Sequence, residues 1–345
     1  MDEKQKKRLM WQLPFLTFLI VGTILIIRQQ QNVPYQKNAD FIFGTSYHIS
    51  YQYDSDLSAD IKAELMKVDK SLSPFNKESI ITAINENKDV EPDSMFLDVY
   101  HLAVQISEDT DGAFDITVAP LVNAWGFGFK QGTEPSSNQV DSLRQIVGYQ
   151  KVSFEDGRIK KQDPRVMLDC SAIAKGYGCD MVARFLRGRG VKNFMVEIGG
   201  EVVTCGLNPD RQPWRVGVTK PSDDSLSTSH ELQTILNVTD KAMATSGNYR
   251  NFYYKGGKKY AHTIDPKTGY PVQHNILSAT VLAKSCAEAD AYATSFMVMG
   301  LEKAQKVMER HPELMAYIIY SDQNGENAIW YIARSEERRV GKECR

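Results

Sequence analysis

The chain has 345 residues, 42% of them hydrophobic and 24% charged, with a formal net charge of −2. This composition excludes wholesale disorder, a collagen-like repeat and a polytopic membrane protein, and it requires a real core. Basic residues gather at the two ends: between 32 and 333 there are 31 basic against 38 acidic side chains. A body of net −7 argues against nucleic acid as a partner, because nothing offsets its repulsion from a phosphate backbone.

Leu9 to Ile27 is an uncharged run of 19 residues. As a helix it rises ~28 Å, about the hydrocarbon thickness of a bilayer. The flank Lys4 to Arg8 is basic, and the positive-inside rule keeps that end in the cytoplasm. The run ends Ile24-Leu25-Ile26-Ile27-Arg28, without the small residues of a signal-peptide cleavage site, and no cysteine precedes Cys170 to carry a lipid. These features predict residues 1–8 as a cytoplasmic flank and 9–27 as an uncleaved single-pass anchor, with the body on the extracytoplasmic, periplasmic side of the inner membrane. Residues 28–40 are polar and read as a linker, and 41–333 as one body. The tail 334–345, containing RSEERRVGKEC, resembles the in-frame translation of a sequencing adapter and is expected to be non-native. The five cysteines show neither a C-x-x-C pair nor metal-ligand spacing, and most read as small buried apolar residues.

Along the body, Tyr47, Ile49, Tyr51 and Tyr53 alternate with polar residues, which predicts a half-buried strand. Leu57, Ile61, Leu65, Val68 and Leu72 fall at helical spacing, as do Phe96, Val99, Tyr100, Ala103 and Ile106. A strand, a Glu155-Asp156-Gly157 turn and a second strand ending at Val166-Met167-Leu168 precede a helix expected to reach Leu186. Short strands follow near 194–198, 202–205, 214–219 and 234–238, with hairpin signals at Lys255-Gly256-Gly257 and Asn324-Gly325. The fold class expected is α+β, with mixed, largely antiparallel sheets and flanking helices behind the N-terminal transmembrane helix, rather than a doubly wound parallel sheet.

Three clusters carry chemistry. Asp169 to Tyr177 stands at a strand-to-helix junction, where free N–H groups and Lys175 favour an anion such as phosphate; alone, the same spacing fits a cap and a surface charge. In Ser285 to Thr294, Ser285 and Glu288 have capping-box spacing, and Asp290 and Thr294 then share a helix face as hard oxygen ligands suited to Mg²⁺. The bland alternative is a carboxylate answering the helix dipole and a threonine bonding the preceding turn. Thirdly, His262 precedes the turn Asp265-Pro266-Lys267-Thr268-Gly269, where it is either a general base or a satisfied imidazole. Gly112-Ala113-Phe114-Asp115, Trp125-Gly126-Phe127-Gly128 and Glu197-Ile198-Gly199-Gly200-Glu201 look like close backbone approaches; none matches a dinucleotide fingerprint or a P-loop.

Taken in order, Phe43-Gly44-Thr45, the segment 107–128, DCSAIAKGYGCD at 169–180, VEIGGEV at 196–202, ATSGNYRNF at 244–252, HTIDPKTGYPV at 262–272 and CAEADAYATSFMVMG at 286–300 resemble the ApbE family, the FAD:protein FMN transferases. The resemblance covers about 41–333. It implies FAD as a substrate bound with Mg²⁺, and transfer of FMN to a Ser or Thr hydroxyl of an exported acceptor flavoprotein of a membrane redox chain, with AMP leaving. It further implies Ala172 (main-chain carbonyl), Asp290 and Thr294 as metal ligands, and Phe43, Ala113, Phe114, Asp115, Asp169, Lys175 and Ile264 around FAD. His262 and Asp265 would be catalytic, near the reacting phosphate. The chain departs from the family at Phe43, usually Met; at Ser171-Ala172, often Gly-Gly; and in lacking a lipid-bearing cysteine. Rival readings are an exported FAD-binding protein without turnover and a metal-dependent FAD pyrophosphatase.

Overall fold

In the computed structural model, residues 12–25, 33–128, 134–221, 231–248, 252–255, 258–323 and 326–332 are described. Residues 12–25 form a helix, α1, whose large apolar side chains, Phe15 and Phe18 among them, are exposed. Its only side-chain hydroxyls that bond, Thr17 and Thr23, donate back to the carbonyls of Leu13 and Leu19. Among the described residues no helix is long and apolar enough to cross a membrane; both ends of the 9–27 run lie outside them. The tail beyond Ile332, the linker start and the two hairpin turns at 256–257 and 324–325 lie outside them as well.

The body is built on one eight-stranded sheet. Strand β1 (Tyr35–Ile42) turns through Phe43 and Gly44, both at positive φ (53° and 75°), into β2 (Thr45–Gln52). A two-residue loop of this kind matches the twist of a hairpin. The second half of the stretch read as a linker is therefore an edge strand, paired to β2 along its full length. After β2 come α2 (Ser58–Leu72), α3 (Ile80–Asn85) and α4 (Ser94–Asp109), the first and last burying the side chains their spacing predicts. Next are α5 (Ala119–Ala124), α6 (Ser137–Arg144), whose Ser136 and Gln139 complete a capping box, and the hairpin β3 (Val152–Glu155) and β4 (Arg158–Lys161). Val166 to Leu168 is not a strand: Met167 makes a single parallel bridge to Val118. Helix α7 (Ala174–Gly188) ends close to the expected Leu186.

Strands β5 (Phe194–Ile198) and β6 (Glu201–Cys205) form a tight hairpin beside β2. A second hairpin, β7 (Trp214–Thr219) and β8 (Leu232–Val238), stands outside the main sheet. The rest are β9 (Ala242–Gly247), the small hairpin β10 (Phe252–Lys255) and β11 (Lys258–Ala261), β12 (Ile276–Ala283), α8 (Cys286–Met299), α9 (Leu301–Arg310), β13 (Met315–Ser321) and β14 (Asn327–Ile332). The main sheet runs β1-β2-β5-β6-β9-β12-β13-β14, and every strand pair in it is antiparallel. The α+β expectation holds.

Alternation along the strands sets the layers. Val196, Val203 and Ala242 bury against Val182 and Leu186 of α7, while their neighbours Met195, Val202 and Met243 pack on the other side with Val216, Val238 and Leu236 of the β7–β8 hairpin. Helices thus cover one face and a hairpin part of the other. Helix α8 lies across β9 and β12, and its start is pinned by Asp180 of α7, whose two carboxylate oxygens accept the Cys286 and Ala287 N–H groups at 2.8 and 2.9 Å. These are two of the donors that a helix N-terminus leaves without intrahelical partners.

A second clamp ties the far side of α8. Asp109 at the end of α4 accepts from the Tyr292 hydroxyl (3.1 Å), Arg310 (2.9 Å) and His311 Nε2 (3.0 Å), and His311 Nδ1 faces Glu313 at 2.9 Å. Burial would lower the His311 pKa, but Glu313 and Asp109 more than offset that and hold it above the ordinary histidine value. A raised histidine contributes stability that is fully present below its unfolded value, near 6.5, and is lost as pH rises through the folded one. Denaturant unfolding of the wild type should therefore show stability falling as pH rises above 6.5, and His311→Gln should flatten that fall; a variant with an unchanged slope would remove His311 as its source.

Candidate active site

A cavity of about 470 Å³ opens where the ends of these elements converge. Its walls come from the turn before α7, one face of α8, the β5–β6 turn, the end of β9 and the segments 113–118 and 262–266, with Phe43 and Phe75 at the sides. Eleven of the twelve residues singled out from the sequence line it: Phe43, Ala113, Phe114, Asp115, Asp169, Ala172, Lys175, His262, Ile264, Asp290 and Thr294.

Asp169 shapes the approach to α7. Its Oδ1 accepts from the Ser171 N–H (2.8 Å) and hydroxyl (2.5 Å), closing the turn that presents Ser171 and Ala172 to the cavity. Its own N–H donates to the Ile116 carbonyl at 2.7 Å, which stitches the 113–118 segment alongside. Asp115 is buried in that segment and accepts three hydrogen bonds, from the Thr117 N–H and hydroxyl (2.8 and 2.6 Å) and from the Tyr149 N–H (2.8 Å). Burial pushes its pKa up, with these donors opposing. Its carboxylate is thus engaged with the protein, whereas the Phe114 ring, 2% exposed, supplies apolar wall.

The charged centre lies between α7, α8 and β6. Helices α7 and α8 approach so closely that a Cβ on Gly176 would stand 2.3 Å from the Cys286 carbonyl oxygen. That proximity lets the Gly176 N–H donate to Asp290 Oδ2 at 3.2 Å. Lys175 then projects along the same floor, its Nζ 3.5 Å from Asp290 Oδ2, 3.3 Å from Glu201 Oε1 and 3.5 Å from the Ser171 carbonyl. Desolvation would lower the Lys175 pKa, but Asp290 and Glu201 outweigh it and hold the group above the usual lysine range, so it is a cation here. Thr294 follows Asp290 by one turn on the same face of α8.

Among the described residues no group of three or more His, Cys, Asp or Glu side chains could hold a metal. Asp290, Thr294 and Ala172 line the same cavity, and a carboxylate, a hydroxyl and a main-chain carbonyl are hard oxygens of the sort Mg²⁺ takes together with substrate phosphates. That the floor already gathers a cation, the Lys175 ammonium, against two buried carboxylates shows that positive charge fits there.

His262 lines the cavity, its ring edge-on to Phe127 with centroids 6.5 Å apart. Asp265 does not line it: its Oδ1 accepts the Lys267 N–H (2.9 Å) and its backbone pairs with Tyr270 and Gly269, so it builds the turn. The structure thus gives Asp265 a turn-building contact, between Ile264 and Pro266, which both line the cavity. That turn is anchored by the Trp125 indole N–H, which donates to the Gly269 carbonyl at 2.8 Å, and by the Lys267–Asp111 ion pair. Glu201 and Thr245 were not singled out, yet both line the cavity. The signal for Glu201 was a carboxylate directly after Gly199-Gly200, a turn tight enough to aim it.

The sequence matches the ApbE family over residues 43–319. It is 38% identical over 290 residues to the FAD:protein FMN transferase of Vibrio cholerae, covering 81% of this chain and 86% of the relative. To that of Haemophilus influenzae it is 35% identical over 330 residues, covering 89% and 94%. Among solved structures, the flavin transferase ApbE of Vibrio cholerae aligns with a TM-score of 0.78 at 34% identity, over 89% of this chain and all but 1% of that one (99%). The flavinyl transferase ApbE of Pseudomonas stutzeri in its apo form aligns at 0.77 and 30% identity, over 86% and 94%. With the fold, the cavity and both comparisons in agreement, the chain belongs to the ApbE family.

Proposed function

We propose that this chain is a Mg²⁺-dependent FAD:protein FMN transferase that esterifies FMN to a Ser or Thr hydroxyl of an exported acceptor flavoprotein and releases AMP. The observation that carries the reading is a single cavity lined by Asp290, Thr294, Ala172 and Lys175, its ammonium 3.5 Å from Asp290, with His262 and the apolar Phe114 and Ile264 in the same walls. The transferase activity itself is the one named for the relatives.

In this reading FAD lies with its diphosphate over the turn before α7, where the Lys175 ammonium answers negative charge. Phe43, Ala113, Phe114 and Ile264 exclude water from the rings. Asp290, Thr294 and Ala172 would hold Mg²⁺, which when bound neutralises charge on the diphosphate. The acceptor Oγ forms a bond to the FMN phosphorus while the bond from that phosphorus to the bridging oxygen breaks. His262 takes the hydroxyl proton, and AMP departs with the electron pair. Positioning and neutralisation carry most of such a transfer, so no covalent help from the protein is required. The exposed apolar helix α1 and its basic flank support a single-pass anchor, with the body on the periplasmic side of the inner membrane beside acceptors of membrane redox chains.

Intact mass of the full chain and a candidate exported acceptor, incubated with FAD and Mg²⁺, tests the reading. An FMN-phosphoryl increment on the acceptor that disappears with EDTA is expected. Free FMN and AMP without an adduct would instead indicate a pyrophosphatase, and intact FAD on the protein a binding role. Asp290→Asn should lower turnover about 100-fold or more at limiting Mg²⁺, given that even outer partners of metal ligands cost 10–100-fold. His262→Ala should slow single-turnover transfer by about 10²-fold with FAD affinity unchanged; a loss below threefold would leave His262 as wall rather than base.

A further inference from the structure

Three charges meet on the cavity floor with unequal shares. Asp290 and Glu201 are 4% and 2% exposed, and one ammonium, Lys175, stands between them at 3.5 and 3.3 Å. One positive and two negative charges leave a net negative charge out of water, which is costly unless a further cation can enter. If a divalent cation takes Asp290, it also repels the ammonium 3.5 Å away, and the carboxylate on the ammonium's other side is Glu201.

The protein holds Glu201 firmly in that position. Gly199 and Gly200 make the β5–β6 turn at φ 63° and 105°. The turn is fixed from behind by Glu197, whose Oε1 accepts the Gly200 N–H at 2.7 Å while its Oε2 meets His48 Nδ1 at 2.8 Å. A Cβ on Gly199 would come within 2.8 Å of the Thr45 methyl, so the turn also packs closely against β2. Glu201 is the first residue of β6, and its backbone carbonyl is contacted by the Cys179 thiol of α7 at 3.2 Å. A carboxylate set on the first residue of a paired strand, against α7, is a rigid receiver for a side chain that moves.

We propose that Glu201 is a positioning residue: it receives the Lys175 ammonium when a divalent cation takes Asp290, so that the lysine stays on the floor, poised for phosphate, instead of competing with the cation. This rests on the metal reading given under the proposed function. Without Glu201 the ammonium would be drawn to Asp290 and the cation would have to displace it. Glu201 also attracts the cation through space, an effect present whether or not Lys175 is there, so a double-mutant cycle separates the two contributions.

The test is Mg²⁺ titration of the full chain by calorimetry without FAD, in the wild type, Glu201→Gln, Lys175→Met and the double variant. The expected result is that Glu201→Gln weakens Mg²⁺ binding at least about tenfold more in the presence of Lys175 than in the Lys175→Met background, a ratio from which the shared through-space effect cancels. Equal losses in the two backgrounds would overturn the proposal and leave Glu201 as a plain electrostatic partner of the cation. Glu201→Asp keeps the charge and serves if the amide variant does not fold; it should bind Mg²⁺ within threefold of the wild type, and a loss as large as that of the amide would again overturn the proposal. Asp290→Asn with wild-type Mg²⁺ affinity would refute the metal reading itself, whatever the cycle gives.

Discussion

The close crossing of α7 and α8 is the constraint on which the site depends. Gly176 brings the helices to where a methyl group would strike the Cys286 carbonyl, and only at that separation can its N–H reach Asp290. Gly176→Ala would have to part backbone from backbone, since the obstructing atoms belong to the main chain of α8. Lys175 precedes Gly176 and so sits on the same floor, and Thr294 follows Asp290 by one turn, so a single contact fixes four groups. Asp180, one turn beyond Gly176, accepts the first N–H groups of α8 and sets the register of that crossing. Burial pushes its pKa up to about 6, with the two donors opposing, and the carboxylate stays in place because those donors are otherwise unmet.

Around this crossing the cavity is closed by turns, each held by side chains bonded to backbone. Asp169 closes the turn before α7, Asp115 braces the 113–118 segment, Asp265 shapes the turn at 265–270 and Glu197 fixes the β5–β6 turn. Four carboxylates thereby divide the bracing of the cavity walls among them. In a phosphoryl transfer such bracing is sensible, because the rate comes from fixed dipoles and charges that need not reorganise as the phosphorus is attacked.

Much of this was legible in the sequence, and the failures share a cause. Period-two and period-3.6 patterns located β2, α2 and α4 because those elements bury one face against a core. Strand β1 escaped because an edge strand with polar residues carries little alternation, and its pairing with β2 is a backbone matter. Val166 to Leu168 reads as strand by composition, yet Val166 and Leu168 are buried in the core beside a single bridge, so burial without a ladder produced the same pattern. At the site, the family's motifs drew together eleven residues that do share a cavity. They also include Asp265, whose Oδ1 closes the turn between Ile264 and Pro266, two residues that line the cavity. Glu201 is hidden because Gly199-Gly200 reads as shape, and no pattern of its own marks the carboxylate that the shape aims.

The charge balance of the floor explains why a lysine can serve there at all. A lone buried ammonium would be neutral or expelled, and a lone pair of buried carboxylates would share a proton. Burial alone would lower the Lys175 pKa, but Asp290 and Glu201 hold it above the usual lysine range, so the ammonium stays charged on the floor. The same three charges make the site accept positive charge before negative. A phosphate approaching alone would meet two carboxylates, whereas a cation arriving first, or arriving with the phosphate, turns the floor from net negative to net positive. On the metal reading proposed above, the placement of two acids and one base on three different elements, α8, β6 and α7, would favour entry of the metal before or together with the nucleotide.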